Sequence, residues 1–156
     1  MGAGAGRPAP PSREKAAAVI TATWKPLDPD LAAFLTEFEK ANATTESDQG
    51  RPFAEQFLTT DPNRATVVTR EALVASLPMR RRLFESAGLG HAVCVASAQL
   101  DLDEHHVLVT TDWDTPRAGA EPVRLESTYL IRRDDDDLRI LVYLNHRDIV
   151  AVLGAL

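Results

Sequence analysis

The sequence predicts a single α+β domain in which helices precede a long antiparallel sheet. Within residues 91–145, β-branched and aromatic residues recur in four runs separated by turn residues, as expected for four consecutive strands. Apolar residues recur at helical spacing over residues 31–41 and again over residues 73–84. A chain of 156 residues is long enough to bury a sizeable core as one domain.

Composition narrows the possible functions. The formal net charge of −6 disfavours sequence-independent binding to nucleic acid, which needs a basic surface. No segment has the apolar length of a membrane span, and the N-terminus lacks the order of charges and apolar residues of a signal peptide. We therefore expect a cytoplasmic protein that binds neither nucleic acid nor membrane. The single cysteine, Cys94, excludes an internal disulfide; we interpret it as a small buried apolar residue, with a reactive thiol as the alternative.

The beginning of the chain differs in composition from the rest. Residues 1–12 are rich in Gly, Ala and Pro, which is typical of a disordered tail. Residues 13–23 are compatible with a short helix, which the segment ending at Pro26 would break. We expect residues 1–25 to form a weakly ordered extension and residues 26–156 to form the domain.

The first firm helix should begin at Asp28, Pro29 and Asp30, because acidic residues suit the N-terminal end of the helix dipole, and should run to about Thr44. A second, short helix is predicted over residues 51–57. Two short strands should follow at residues 57–60 and 65–69, around a turn that contains proline and asparagine.

A long helix is predicted over residues 70–87. Thr69 is suited to cap its first turn, and Gly88 is suited to end it. Pro78 lies inside this segment and should kink the helix or split it in two. A short closing helix is predicted over residues 146–156, with Asn145 as its cap.

Three consecutive arginines, Arg80, Arg81 and Arg82, lie within the long helix. We interpret them as a solvated surface. An anion clamp is the alternative, but three successive residues fan around a helix axis and cannot share one face.

The four strands of the sheet are predicted at residues 92–100, 106–113, 123–133 and 138–145. The prolines and glycine of residues 115–122 should interrupt the pairing between the second and third strands. Side chains alternate between two faces along a strand, so each strand contributes to both. With tight loops at residues 103–104 and 135–136, one face is mostly apolar and should pack on the helices. Its members are Ala92, Cys94, Ala96, Ala98, Leu100, Val107, Val109, Thr111, Trp113, Leu125, Ser127, Tyr129, Ile131, Ile140, Val142 and Leu144.

The other face mixes charged and large apolar residues, which is typical of a protein interface rather than of bare surface. Its apolar members are Val93, Val95, Leu108, Leu130, Leu141 and Tyr143, and its charged or polar members include His106, Asp112, Arg124, Glu126 and Arg139. This pattern predicts a homodimer formed by sheet-on-sheet pairing.

The order of elements resembles the nuclear transport factor two-like superfamily, and within it the polyketide-cyclase-like members. Residues 31–43 resemble their first helix, and residues 107–113 and 128–133 resemble their strands. The resemblance covers about residues 29–156 and rests on element order and hydrophobic spacing. It implies a curved antiparallel sheet wrapped around about three helices, with a short C-terminal helix and a conical pocket for a small apolar molecule. It also implies that the opposite sheet face forms a dimer.

Enzymes of that superfamily, such as ketosteroid isomerases and polyketide cyclases, place a carboxylate or histidine inside the cone as a general base. The predicted inner face carries no carboxylate. Tyr129 and His146 are the catalytic candidates, and Asp112 joins them if the register is inverted. The residues predicted to contact a ligand are Trp113, Thr111, Ser127, Tyr129, Phe34, Phe38 and Cys94.

We expect a cofactor-free domain that binds a small apolar molecule, with no assigned activity. Neither the hairpin tip at residues 103–106 nor the acidic turn at residues 134–137 has the spacing of a metal site. The first alternative is a cofactor-independent isomerase, dehydratase or cyclase. The second is a homodimeric interaction module whose pocket is filled by side chains.

Overall fold

The computed structural model describes residues 21–44 and 49–156, and these ranges contain three helices and six strands. The predicted tail and residues 13–20 of the predicted N-terminal helix lie outside the described residues. The helices are α1 (Pro29–Ala43), α2 (Arg70–Ser86) and α3 (Ile149–Gly154). The strands are β1 (Phe53–Thr60), β2 (Ala65–Thr69), β3 (Val93–Asp101), β4 (His106–Arg117), β5 (Ala120–Asp134) and β6 (Asp137–Asn145).

The two long helices begin and end close to where the sequence places them. α1 has Asp28 at its N-cap position and Pro29 in its first turn, where proline needs no backbone hydrogen bond. In α2, the Thr69 hydroxyl accepts a hydrogen bond from the Ala72 amide at 3.1 Å, as predicted for a cap. Pro78 does not split α2, which continues as one helix around it. Pro78 is exposed, so water can satisfy the backbone carbonyl that the proline leaves without a partner.

Two predictions about short helices are wrong. Residues 51–57 do not form a helix, because β1 begins at Phe53 and pairs in parallel with β6. Phe53 and Phe57 are both buried, so their spacing of four residues imitates a helical stripe within an irregular strand. Asn145 does not cap the closing helix. β6 ends at Asn145, and the cap is Asp148, whose side chain accepts a hydrogen bond from the Ala151 amide.

One six-stranded sheet carries the fold, with the order β2-β1-β6-β5-β4-β3. The predicted four-stranded meander is confirmed as β3 to β6, and the β1–β2 hairpin extends it beside β6. The expected interruption between β4 and β5 is not found. Their pairing continues to Arg117 and Ala120, because Pro116 lies at a register shift and Gly119 adopts the positive φ of 70° that the tight turn requires.

A bulge in β6 overturns part of the face assignment. Ile131 pairs with Ile140, but Leu130 pairs with Val142, so Leu141 is an extra residue. One extra residue moves every following side chain to the opposite face. Tyr143 and Asn145 therefore join the inner face, whereas Val142 and Leu144, predicted to be inside, lie outside.

A second bulge, in β3, has the same effect. Cys94 pairs with Trp113 and lies on the inner face, as predicted for that face, but Ala96 pairs with Asp112, so Val95 is the extra residue. Beyond it Ser97 and Gln99 face inward, whereas Ala96, Ala98 and Leu100 lie on the outer face. The assignments in β4 and β5 are confirmed: Val109 and Tyr129 are buried on the inner side, and Asp112 and Glu126 pair on the outer side.

The core lies between α1 and the inner face of the curved sheet. Leu31, Leu35 and Phe38 of α1 are buried against Val107, Val109, Trp113, Leu125, Tyr129, Ile131 and Ile140. None of the helices in the described ranges is long and apolar enough to cross a membrane.

Candidate ligand-binding site

The space directly beneath α1 is filled. Only a void of about 10 Å³ remains there, between Phe34 and Phe38 of α1 and Tyr129 and Ile140 of the sheet. That volume is about enough for one water molecule. The space between α1 and the sheet is therefore packed core, and it leaves no room for a ligand.

A cavity of about 260 Å³ lies instead between α2 and the sheet. Its lining is mostly aromatic and aliphatic, with polar groups at a few points. The apolar lining residues are Phe38, Phe53, Leu73, Leu77, Phe84, Leu89, Ala92 and Tyr143, and the polar or charged ones are Asn42, Gln49, Arg80, Arg81, Glu85 and His91. We call this space the α2 cavity.

Stacked aromatic rings form the floor of the α2 cavity. The Phe38 ring lies 6.0 Å from Phe53 and meets Tyr129 edge-on at 5.7 Å between ring centroids. Tyr143 stacks on Tyr129 with centroids 5.2 Å apart. Such offset and edge-on contacts hold the rings in fixed orientations. The β6 bulge makes this floor possible, because without it Tyr143 would lie on the outer face.

Arg80 projects from α2 into this aromatic setting. Its guanidinium carbon lies 5.5 Å from the centroid of the Phe84 ring, within range of a cation–π contact. Interaction with the Tyr143 hydroxyl raises the pKa of Arg80 above its usual range, against the opposing effect of burial. Arg80 is therefore cationic at any physiological pH.

Polar side chains near Tyr129 on the inner face form a hydrogen-bonded cluster. The Trp113 indole donates to the Thr111 hydroxyl at 2.7 Å, and that hydroxyl donates to the Ser127 carbonyl at 3.3 Å. The Ser127 hydroxyl donates to the Asn145 side-chain oxygen at 3.2 Å. Burial, followed by the proximity of Tyr143, raises the pKa of Tyr129 against hydrogen bonds from this cluster, so its hydroxyl stays neutral.

Of the residues predicted to contact a ligand, only Phe38 lines the α2 cavity. Phe34 and Tyr129 line the small void beneath α1. Trp113, Thr111, Ser127 and Cys94 line neither space. Cys94 is partly buried beside Trp113, and burial raises the pKa of its thiol, which disfavours the reactive thiolate.

The structure does not bring the three catalytic candidates together. Tyr129 is buried on the inner face, 2% exposed. His146 is exposed beyond β6, with its Nε2 atom 2.7 Å from the hydroxyl of Thr128 on the outer face. Asp112 also lies on the outer face, in an ion pair with Arg124 at 3.5 Å.

Sequence reasoning missed the residues that define the α2 cavity, above all Arg80 and Tyr143. A signal for Arg80 existed. Leu73, Leu77, Arg80 and Phe84 follow a spacing of four, three and four residues, which is one helix face. The interpretation of Arg80, Arg81 and Arg82 as one solvated surface overlooked that spacing. Tyr143 carried no such signal, because its face depends on the β6 bulge.

A six-stranded curved sheet wrapped on helices, with a cavity between sheet and helix, defines the nuclear transport factor two-like fold, also called cystatin-like. Comparison with solved structures supports this assignment. A protein of unknown function with a cystatin-like fold from Nostoc punctiforme superposes with a TM-score of 0.58 at 9% identity, over 77% of this chain and 90% of that one. A nuclear transport factor two-like protein of unknown function from Shewanella oneidensis gives 0.55 at 15% identity, over 75% and 96%.

A candidate ketosteroid isomerase from Parabacteroides distasonis also superposes, with a TM-score of 0.53 at 14% identity, over 76% of this chain and 86% of that one. At such identities the likeness extends to the fold. The sequence matches no protein-family model and no curated protein.

Proposed function

We propose that this protein binds a small, predominantly apolar molecule in the α2 cavity. The observation that carries the proposal is a cavity of about 260 Å³ whose floor and walls are mainly aromatic and aliphatic side chains. Concave, mostly apolar spaces with a few polar groups are the usual form of a small-molecule site. The volume is just below the usual range of about 300–1,000 Å³, so it suits a ligand of one or two rings.

Binding fits the lining better than catalysis does. A general base in an apolar pocket is normally tuned by burial. Among the described residues that line the cavity, only Glu85 and His91 carry a carboxylate or imidazole, and both are exposed. An isomerase, dehydratase or cyclase would have to use one of these two groups without the help of burial.

A neutral aromatic probe tests the proposal. We expect 1-naphthamide to bind with one-to-one stoichiometry in isothermal titration calorimetry. Leu77→Trp should abolish binding, because Leu77 lines the cavity and the larger ring would fill it. Met79→Trp is the matched control, since Met79 is 62% exposed on the same helix, and it should bind as wild type does. Equal binding by both variants would contradict the proposal, as would a wild type that binds neither 1-naphthamide nor the matching carboxylate, 1-naphthoate.

We also propose that the outer face of the sheet pairs with a second copy of the chain. An apolar row crosses all six strands there, in register from one strand to the next. It consists of Val67, Leu58, Val142, Leu130, Leu108 and Leu100. We call it the outer row. Val67 is 67% exposed, and a continuous apolar row of this length is a typical protein interface.

Charges flanking the outer row suit self-association. Arg124 lies between Asp112 and Asp114 on the same face, and Glu126 pairs with Asp112 across the strands. A two-fold axis brings the same surface of each copy together, so cations of one can meet anions of the other. Pairing would remove the outer row from water while leaving the α2 cavity on the opposite side of the sheet free.

A further inference from the structure

We propose that the α2 cavity selects an anionic ligand, an aromatic or aliphatic carboxylate whose acid group binds Arg80 and Tyr143 while its apolar body lies against Leu73, Leu77 and Phe53. This inference rests on the proposed function and specifies the chemical class of the ligand.

The first support is the state of Arg80. It is partly buried on the inner face of α2 and forms an ion pair with no carboxylate of the described residues. By contrast, five other arginines form ion pairs with aspartates: Arg64, Arg124, Arg132, Arg133 and Arg139. A partly buried cation without a counter-charge is costly, and an anionic ligand would offset that cost.

The second support is the way Arg80 is held. The face of Phe84 lies under the guanidinium, and Tyr143 of the sheet lines the same cavity and raises the pKa of Arg80. Tyr143 is itself fixed by its stack on Tyr129. A planar guanidinium held in one orientation presents parallel N–H donors that match the two oxygens of a carboxylate. The Tyr143 hydroxyl supplies a further donor at the same point.

The third support is the balance of charge around the cavity. Arg81 is a second cation in the lining, although its guanidinium already donates to the Thr44 carbonyl at 2.6 Å. Glu85 is the only carboxylate among the described lining residues, and it is exposed to solvent. The potential inside the cavity therefore favours an anion over a cation.

Arg80 and Tyr143 are also reachable from a second direction. Both line a wider groove of about 720 Å³ that extends toward the β1–β2 hairpin and α3. The acid group of a ligand can therefore bind at the junction of the two spaces, while its apolar end enters the narrower α2 cavity.

The test compares two probes of nearly equal shape, 1-naphthoate and 1-naphthamide, by isothermal titration calorimetry. We expect wild type to bind the anion at least about tenfold more tightly, since a hydrogen bond to a charged group contributes more than one to a neutral group. Arg80→Gln should bring the ratio of the two dissociation constants close to one while 1-naphthamide still binds.

Arg82→Gln is the control, because Arg82 is exposed, adjacent and of equal charge, so it carries the same change in net charge. It should keep the full preference for 1-naphthoate. Tyr143→Phe should reduce the preference without removing it.

If wild type binds both probes equally, the preference for an anion is contradicted while the proposed function stands. If it binds neither, the proposed function itself fails. An equal loss of preference in Arg80→Gln and Arg82→Gln would show only a long-range effect of charge and would overturn the assignment to Arg80.

Discussion

Tyr143 stacks on Tyr129 with ring planes 12° from parallel, and the contact joins the packed core to the α2 cavity. Tyr129 belongs to the buried polar cluster, whereas Tyr143 lines the cavity and interacts with Arg80. The pair exists because Leu141 is an extra residue in β6, which turns Tyr143 inward. A one-residue irregularity in the backbone thus determines which side chains a ligand would meet.

Gln99 anchors the start of α1 to the outer edge of the sheet. It is fully buried, its amide nitrogen donates to Asp28 and Asp101, and its oxygen accepts from the Asp28 backbone amide. Gln99→Ala would leave the Asp28 amide without its partner and would remove one hydrogen-bond donor from each of the Asp28 and Asp101 carboxylates, so we expect a loss of about 2–3 kcal/mol in the free energy of unfolding, measured in urea. Ser97→Ala, exposed on the same strand, should change it by less than about 0.5 kcal/mol. If both substitutions lowered the free energy of unfolding by the same amount, the hydrogen bonds of Gln99 would contribute no more than an exposed side chain of the same strand.

The same anchor predicts a dependence of stability on pH. Burial raises the pKa of Asp101. The hydrogen bond and the charge of Lys25, 2.9 Å away, oppose that effect, and the pKa of Asp101 lies below its ordinary value of 3.8. A lowered pKa in the folded state means that the stabilisation is complete above pH 3.8 and is lost as the pH falls through the folded-state pKa. Urea unfolding of wild type and Asp101→Asn should therefore differ at pH 6, and the difference should shrink as the pH falls through the folded-state pKa of Asp101. A difference that stays constant over this range would contradict the linkage.

The outer row gives a prediction about assembly. Leu130 lies in the middle of the row, between Leu108 and Val142. Leu130→Arg would place a charge at the centre of the interface, where an unpaired buried charge costs several kcal/mol, so we expect folded monomer in analytical ultracentrifugation. Val150→Arg is the control, because Val150 is 67% exposed on α3, and it should remain dimeric. Wild type that stays monomeric at high micromolar concentration would refute the dimer.

Much of the fold follows from local patterns in the sequence. α1 and α2 are marked by helical spacing and by Asp28 and Thr69 at their starts, and the meander is marked by turns between β-branched runs. Only the first part of β1 is wrongly predicted as a helix, because Phe53 and Phe57 lie four residues apart in an irregular strand; the strand predicted at residues 57–60 is confirmed.

The bulges at Val95 and Leu141 could not be predicted in this way. A bulge adds one residue without changing the alternation on either side, and its place is decided by the pairing of strands distant in sequence. The prediction of the candidate site was affected most, because the bulge at Leu141 determines on which face of the sheet Tyr143 lies. The position of Arg80 could be predicted from the sequence, since its spacing from Leu77 and Phe84 places it on the apolar face of α2.

The central claim is that a ligand enters between α2 and the inner face of the sheet, beside Arg80. The most direct test is a titration of methyl-labelled and nitrogen-labelled protein with 1-naphthoate, followed by NMR. We predict that the largest shift changes occur at the methyl groups of Leu73, Leu77 and Leu89 and at the side-chain Nε–H of Arg80. Changes confined to Leu108 and Leu130 of the outer row would place the probe on the opposite face of the sheet and contradict the claim.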